Sequence, residues 1–103
     1  MRAKVSVHGR PAGQLIEEER GRRYRFEYCA GYDGPPVSLT MPISQSEYTY
    51  DRFPPFFDGL LPEGIQLEGL LRARKLDRDD LFGQIVAVGG DLVGAVTVEG
   101  NES

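Results

Sequence analysis

The chain has no tryptophan, one histidine and one cysteine among its 103 residues, and each shortage closes off a class of chemistry. With Cys29 alone no intrachain disulfide can form, so the sequence reads as that of a cytoplasmic protein in a reducing compartment. One His and one Cys do not make a tetrahedral soft-ligand site. The acidic run Asp77-Arg78-Asp79-Asp80 lacks the loop spacing that calcium needs, so no metal is expected. A catalytic base needs a nucleophile and an orienting partner, and nothing near His8 in sequence supplies them. Cys29 follows the Tyr24-Phe26-Tyr28 face without a second cysteine or a basic helix terminus beside it, which reads as a packed or partly exposed thiol. The glycines Gly83, Gly89, Gly90 and Gly94 fit neither spacing that cradles a nucleotide phosphate, so no cofactor is expected and the chain does not read as an enzyme. Met1 to Val5 leads into no long apolar run, which excludes both a signal peptide and a membrane span there.

What is present suffices for one folded unit. Apolar residues make up 40% of the chain and are spread along it, enough for a single thin core at this length. Residues 1–99 read as one domain and 100–103 as a flexible tail. Twelve basic against sixteen acidic side chains give a net charge of -4, a field that repels nucleic acid phosphate. Two basic clusters stand against that field, Arg20, Arg22, Arg23 and Arg25, then Arg72, Arg74, Lys75 and Arg78. Glu17 to Glu19 and Asp77 to Asp80 dilute them into solvated faces, so no direct nucleic acid contact is expected.

Period-two alternation marks Ala3, Val5 and Val7 as one face of a first strand, with a turn at Gly9-Arg10-Pro11. A short second strand begins at Leu15 and runs to Glu19. Tyr24, Phe26 and Tyr28 form one face of a third, and the three make an antiparallel meander. Gly31 to Pro36 is a loop, Val37, Leu39 and Met41 alternate as a fourth strand ended by Pro42, and Ser44 to Asp51 is a connection. The period then becomes helical. Phe53, Phe56, Phe57, Leu60 and Leu61 share a stripe that Pro62 stops, and a second helix from about Glu63 carries Leu67, Leu70 and Leu71 on one face, extended by the stem of Arg74. Asp77 and Asp80 form a reciprocal cap for a third helix, with Leu76 and Leu81 as its staple and Leu81, Phe82, Ile85 and Val86 as its buried stripe. Gly89-Gly90-Asp91 ends that helix, and Gly94 to Val98 returns as the last strand. The fold class is α+β: a small antiparallel sheet or mini-barrel with three short helices inserted before its last strand.

The densest local pattern is Phe53 to Gly64, where an apolar stripe, a proline stop, a glycine-permitted turn and helix-capping carboxylates meet within twelve positions. Such an elbow, held by a packed scaffold, is suited to present Pro62, Glu63, Gly64 and Ile65 to a partner, with Arg72, Arg74 and Lys75 as the next candidate contacts.

Phe56-Phe57-Asp58-Gly59-Leu60-Leu61-Pro62-Glu63-Gly64, then Asp80-Leu81-Phe82, then Val88-Gly89-Gly90-Asp91-Leu92-Val93-Gly94-Ala95-Val96 resembles the N-terminal subdomain of HipA-type serine/threonine kinase toxins. The resemblance runs from the first strand to Val98. It implies a subdomain without the ATP-binding and catalytic parts of the kinase, like the HipS component of three-gene HipB-HipS-HipT systems. On that reading the chain is an antitoxin that neutralises a HipT-like kinase toxin. The alternative is a non-inhibitory module that bridges the kinase and a helix-turn-helix HipB-like protein. Relatives of the HipS kind can carry a bulky aromatic directly after the elbow, where this chain has Ile65.

Overall fold

Apolar residues at every second position place Ala3, Val5 and Val7 on the buried face of β1 (Arg2–Val7), and Tyr24, Phe26 and Tyr28 on that of β3 (Arg23–Tyr28). The computed structural model describes residues 1–90, 92 and 94–100. Between those strands runs β2 (Arg10–Glu19), which is longer than its sequence pattern suggests. The turn before it is His8-Gly9 alone, with φ of 51° and 78°, the left-handed pair that a two-residue hairpin requires. Arg10 and Pro11, expected in the turn, are already paired to Val7 and Ser6. Three antiparallel strands in sequence order form the expected meander.

The fourth strand is not the expected one. Val37 and Met41 are buried, but Leu39 between them is 95% exposed, so the segment does not alternate as a strand would. Met41 N donates to Ser38 O at 3.0 Å, which makes it a turn. What buries its ends is Tyr28: Val37 N donates to the Tyr28 hydroxyl at 3.0 Å, and that hydroxyl donates to Met41 O. The strand lies instead in the segment read as a connection, as β4 (Glu47–Tyr50), whose Tyr48 and Tyr50 stand opposite Phe26 and Tyr24. The last strand, β5 (Val96–Gly100), pairs with β1, Val5 opposite Val98 and Ala3 opposite Gly100. Gly100, read as the start of a tail, is thus a ladder residue; residues 101–103 lie outside the described ones. The order is β4-β3-β2-β1-β5, an antiparallel sheet with β4 and β5 as its ends, and no described pairing closes it into a barrel.

All three helices fall between β4 and β5. The first, α1 (Pro55–Asp58), is one turn long, and the rest of its stripe continues through turns in which Leu60 N reaches Phe57 O and Leu61 N reaches Asp58 O. Helix geometry therefore ends four residues before Pro62. Phe53 and Phe57 are nevertheless buried against the sheet, Phe57 with its ring centroid 6.0 Å from that of Phe26. The next two helices are α2 (Gly64–Arg74) and α3 (Leu81–Val88). The cap of α3 is Asp80, whose Oδ1 accepts from Gly83 N at 3.0 Å, rather than Asp77. Asp77 O instead accepts from Asp80 N and from the Nε2 of Gln84, and Arg78 O takes a second bond from the same amide. Gln84 is thus buried with its donors satisfied. Phe82 and Ile85 enter the core as expected, while Leu81 and Val86 are half-buried.

Burial raises the pKa of Tyr24, Tyr28 and Tyr50 above the ordinary value of 10.0. In each the neutral phenol is favoured by the folded state, so the stabilisation is complete below that value and is lost as pH rises through the folded pKa. Urea midpoints should hold steady up to about pH 9 and fall by about pH 10.5. A midpoint flat across that range would place these rings in water.

Candidate partner-binding surface

The elbow is built by three consecutive backbone restrictions. Pro62 fixes its own φ. Glu63 follows in extended geometry, φ -129° and ψ 165°, as the residue preceding α2. Gly64 then has φ +59°, a region that glycine enters without strain, and a Cβ there would meet nothing within 4 Å. The glycine is required by chain direction, not by crowding. The carboxylate of Glu63, expected to cap the helix, makes no capping hydrogen bond; only its carbonyl engages the helix, accepting from Leu67 N at 3.4 Å. Glu63 is left exposed at the helix start, and Ile65 beside it is 91% exposed, among the most exposed of the large apolar side chains described.

Helix α2 is weakly held. None of its residues is buried, and Leu67, Leu70 and Leu71 are half-buried without joining the central core cluster. It rests mainly on α3. An ion pair between Glu68 and Arg78 ties it to the following loop, and Arg20 reaches that loop from the sheet side, 3.4 Å from both Asp77 and Asp79. Asp80, Asp77 and Asp79 hold the Arg20 guanidinium above its usual range. These pairs are exposed and contribute little to stability.

The seven candidate contacts do not form one patch. Arg72 follows Ile65 by seven residues, about two helical turns, and shares its outward side, whereas Arg74, nine residues on, falls about half a turn away. Lys75 closes the helix in the left-handed region, φ 56°, with its N–H bonded to Leu71 O. Arg72 and Arg74 sit in the last turn, where a positive charge also complements the helix dipole. Pro62 is half-buried and forms one wall of a cleft of about 400 Å³ whose other walls include Leu60, Leu61, Gln66, Val88 and Leu92. That cleft draws on residues from 59 to 92, a combination that no local pattern announces.

The sole histidine and the sole cysteine are tied into the fold through their backbones, with both side chains exposed. His8 occupies the hairpin turn, its N–H donating to Ala95 O at 2.9 Å, and Cys29 is exposed with its N–H donating to Ala12 O at 2.8 Å. Among the described residues no three His, Cys, Asp or Glu side chains are grouped so as to hold a metal ion, and no helix is long and apolar enough to cross a membrane.

A family profile described as "HipA N-terminal domain" matches residues 3–99. An uncharacterized protein of Haemophilus influenzae is 34% identical over 96 residues, covering 93% of this chain and 89% of the relative. A solved structure described as "N-terminal domain of HipA toxin" superposes with a TM-score of 0.72 at 31% identity, over 98% of this chain and 94% of that one.

Proposed function

Since the chain belongs to the HipA N-terminal domain family, we propose that it acts as an antitoxin, binding a HipA-like (HipT) serine/threonine kinase toxin and neutralising it by protein contact. The observation that carries this reading is Ile65. A large apolar side chain left 91% exposed at the tip of a backbone-restricted elbow, on a helix outside the core, has no role in holding the domain together. Covered by a partner, it would contribute apolar burial at small entropic cost, because Pro62 and the start of α2 already fix its position. Glu63 adds an exposed charge at the same tip, and Arg72 lies further along the same side of the helix.

The test is co-expression with a HipT-like kinase. Ile65→Asp should keep the circular dichroism spectrum and denaturation midpoint of the parent, since the side chain is 91% exposed, yet lose protection of growth by placing a charge in an apolar contact. Glu63→Ala should fold equally well and weaken protection less. If both folded variants protect as well as the parent, the elbow is not the inhibitory contact. Retained pull-down of the kinase with loss of protection places Ile65 at inhibition itself. An assembly module that bridges the kinase to a HipB-like protein predicts instead that the parent chain binds the kinase and does not protect.

A further inference from the structure

The three helices are fastened to the domain very unequally. α1 buries Phe57, and α3 buries Phe82, Gln84 and Ile85, but α2 buries no residue at all. α3 is also bonded to the sheet, Val98 N donating to Gly89 O at 3.0 Å. Among the described residues, the hydrogen bonds that α2 makes beyond its own helical ladder go to its immediate flanks: Leu67 N to Glu63 O, Leu76 N to Leu71 O, and the exposed pair of Glu68 with Arg78. None of them reaches a strand. The chain also turns sharply at both ends of the helix, through left-handed residues at Gly64, φ 59°, and Lys75, φ 56°.

The helix is weak in itself as well. Its 11 residues fall short of the roughly 12–15 at which an isolated helix becomes even marginal in water. Gly69 stands in its middle. That glycine is not among those with positive φ, and a Cβ there would meet nothing within 4 Å, so neither chain direction nor crowding calls for it. At an exposed position inside a helix it forgoes the stabilisation that Ala would supply. Gly89 is the contrast, because there a Cβ would run into the backbone of β5. Opening α2 would re-expose only the half-buried Leu67, Leu70 and Leu71, and would leave Phe57, Phe82 and Ile85 in the core.

We infer that residues 64–75 form a unit that opens by itself while the sheet and α3 stay folded, and that Gly69 sets how often it does so. Few buried apolar contacts and no backbone tie to another element are what distinguish such a unit from the body it opens away from. α2 is then a switch between two forms. Closed, it holds Ile65 and Arg72 on one outward side; open, it fixes neither, so any contact that needs the closed form is weakened in proportion to the open fraction. The inference rests on the packing of α2 alone and stands whatever partner the domain takes.

Native-state amide exchange of the full chain, read residue by residue by NMR, tests this. The amides of Leu70 to Arg74 should be protected at least about a hundredfold less than those of the β2–β3 ladder, at rates that respond little to urea below the unfolding transition. Gly69→Ala should slow their exchange about fivefold, the equilibrium equivalent of the difference in helix propensity. Gly69→Pro, which breaks the helix, should leave them unprotected while the ladder amides stay protected. Equal protection of α2 and the ladder in the parent, or a ladder left unprotected by Gly69→Pro, would show that α2 unfolds only with the whole domain and would overturn the inference. Unchanged α2 exchange in Gly69→Ala would overturn the part assigned to Gly69.

Discussion

Replacing Phe57 by Ala should lower the stability of the domain by about 3–5 kcal/mol. The side chain has no exposed surface and packs with its ring centroid 6.0 Å from Phe26 on the sheet and 5.1 Å from Phe56. It joins the helical insert to the sheet, and α1, only one turn long, has little of its own to hold it in place. Truncation leaves a cavity whose walls belong to separate elements. Small domains have stabilities of about 5–15 kcal/mol, so a loss of this size consumes a large part of the total, and partial unfolding at growth temperature is the expected phenotype. Chemical denaturation monitored by circular dichroism measures the effect directly. A midpoint within experimental scatter of the parent would mean that the insert is docked by something other than this ring.

Gly89→Ala should be comparably damaging, at about 3 kcal/mol, the upper end of overpacking costs. Gly89 has φ -57°, which any residue adopts, so its backbone does not call for glycine. Helix propensity alone favours Ala by roughly 1 kcal/mol. Sterics reverse that sign. A Cβ would sit 1.7 Å from Val98 O and 2.6 Å from Val98 C, backbone atoms of β5 that cannot rotate away. The same contact carries the hydrogen bond from Val98 N to Gly89 O at 3.0 Å, so relief by moving the helix end would break it. A stabilised variant would show that α3 and β5 approach less closely than described.

What the sequence disclosed follows from the range over which each signal acts. Strands β1 and β3 were legible because each buries one face and alternates cleanly. In β2 the pattern broke, since Ala12, Leu15, Ile16 and Glu17 are all buried and the strand is covered on both sides at its centre. Val37 and Met41 imitated a strand because both enter the core from a turn whose two ends are hydrogen-bonded to the Tyr28 hydroxyl of β3. β4 passed as a connection because it is a four-residue end strand whose two tyrosines are only half-buried. Asp77 and Asp80 are both competent caps, and what decides between them is the turn closed by Asp80 N on Asp77 O, which delays the helix by three residues. The exposure of Ile65 outside the leucine stripe was legible because helical spacing acts locally, whereas the helix end at Asp58, ahead of Pro62, and the missing Glu63 cap were not. The cleft under Pro62 was not legible either, since its described walls come from residues 59 to 92.

The strand order also dictates a sequence of events during synthesis. β1 to β3 can zip together as soon as they leave the ribosome, but the other edge of β1 waits for β5, the latest in sequence of the described strands. Until then a nascent chain carries the open ladder of β1, with the apolar Ala3, Val5 and Val7 beside it, through the translation of some ninety further residues. Closing that edge is a long loop closure that local contacts cannot accelerate, so it belongs to the slow phase of folding. In that interval the free edge of β1 is a template for any strand nearby, including the same strand of another nascent chain on the same polysome.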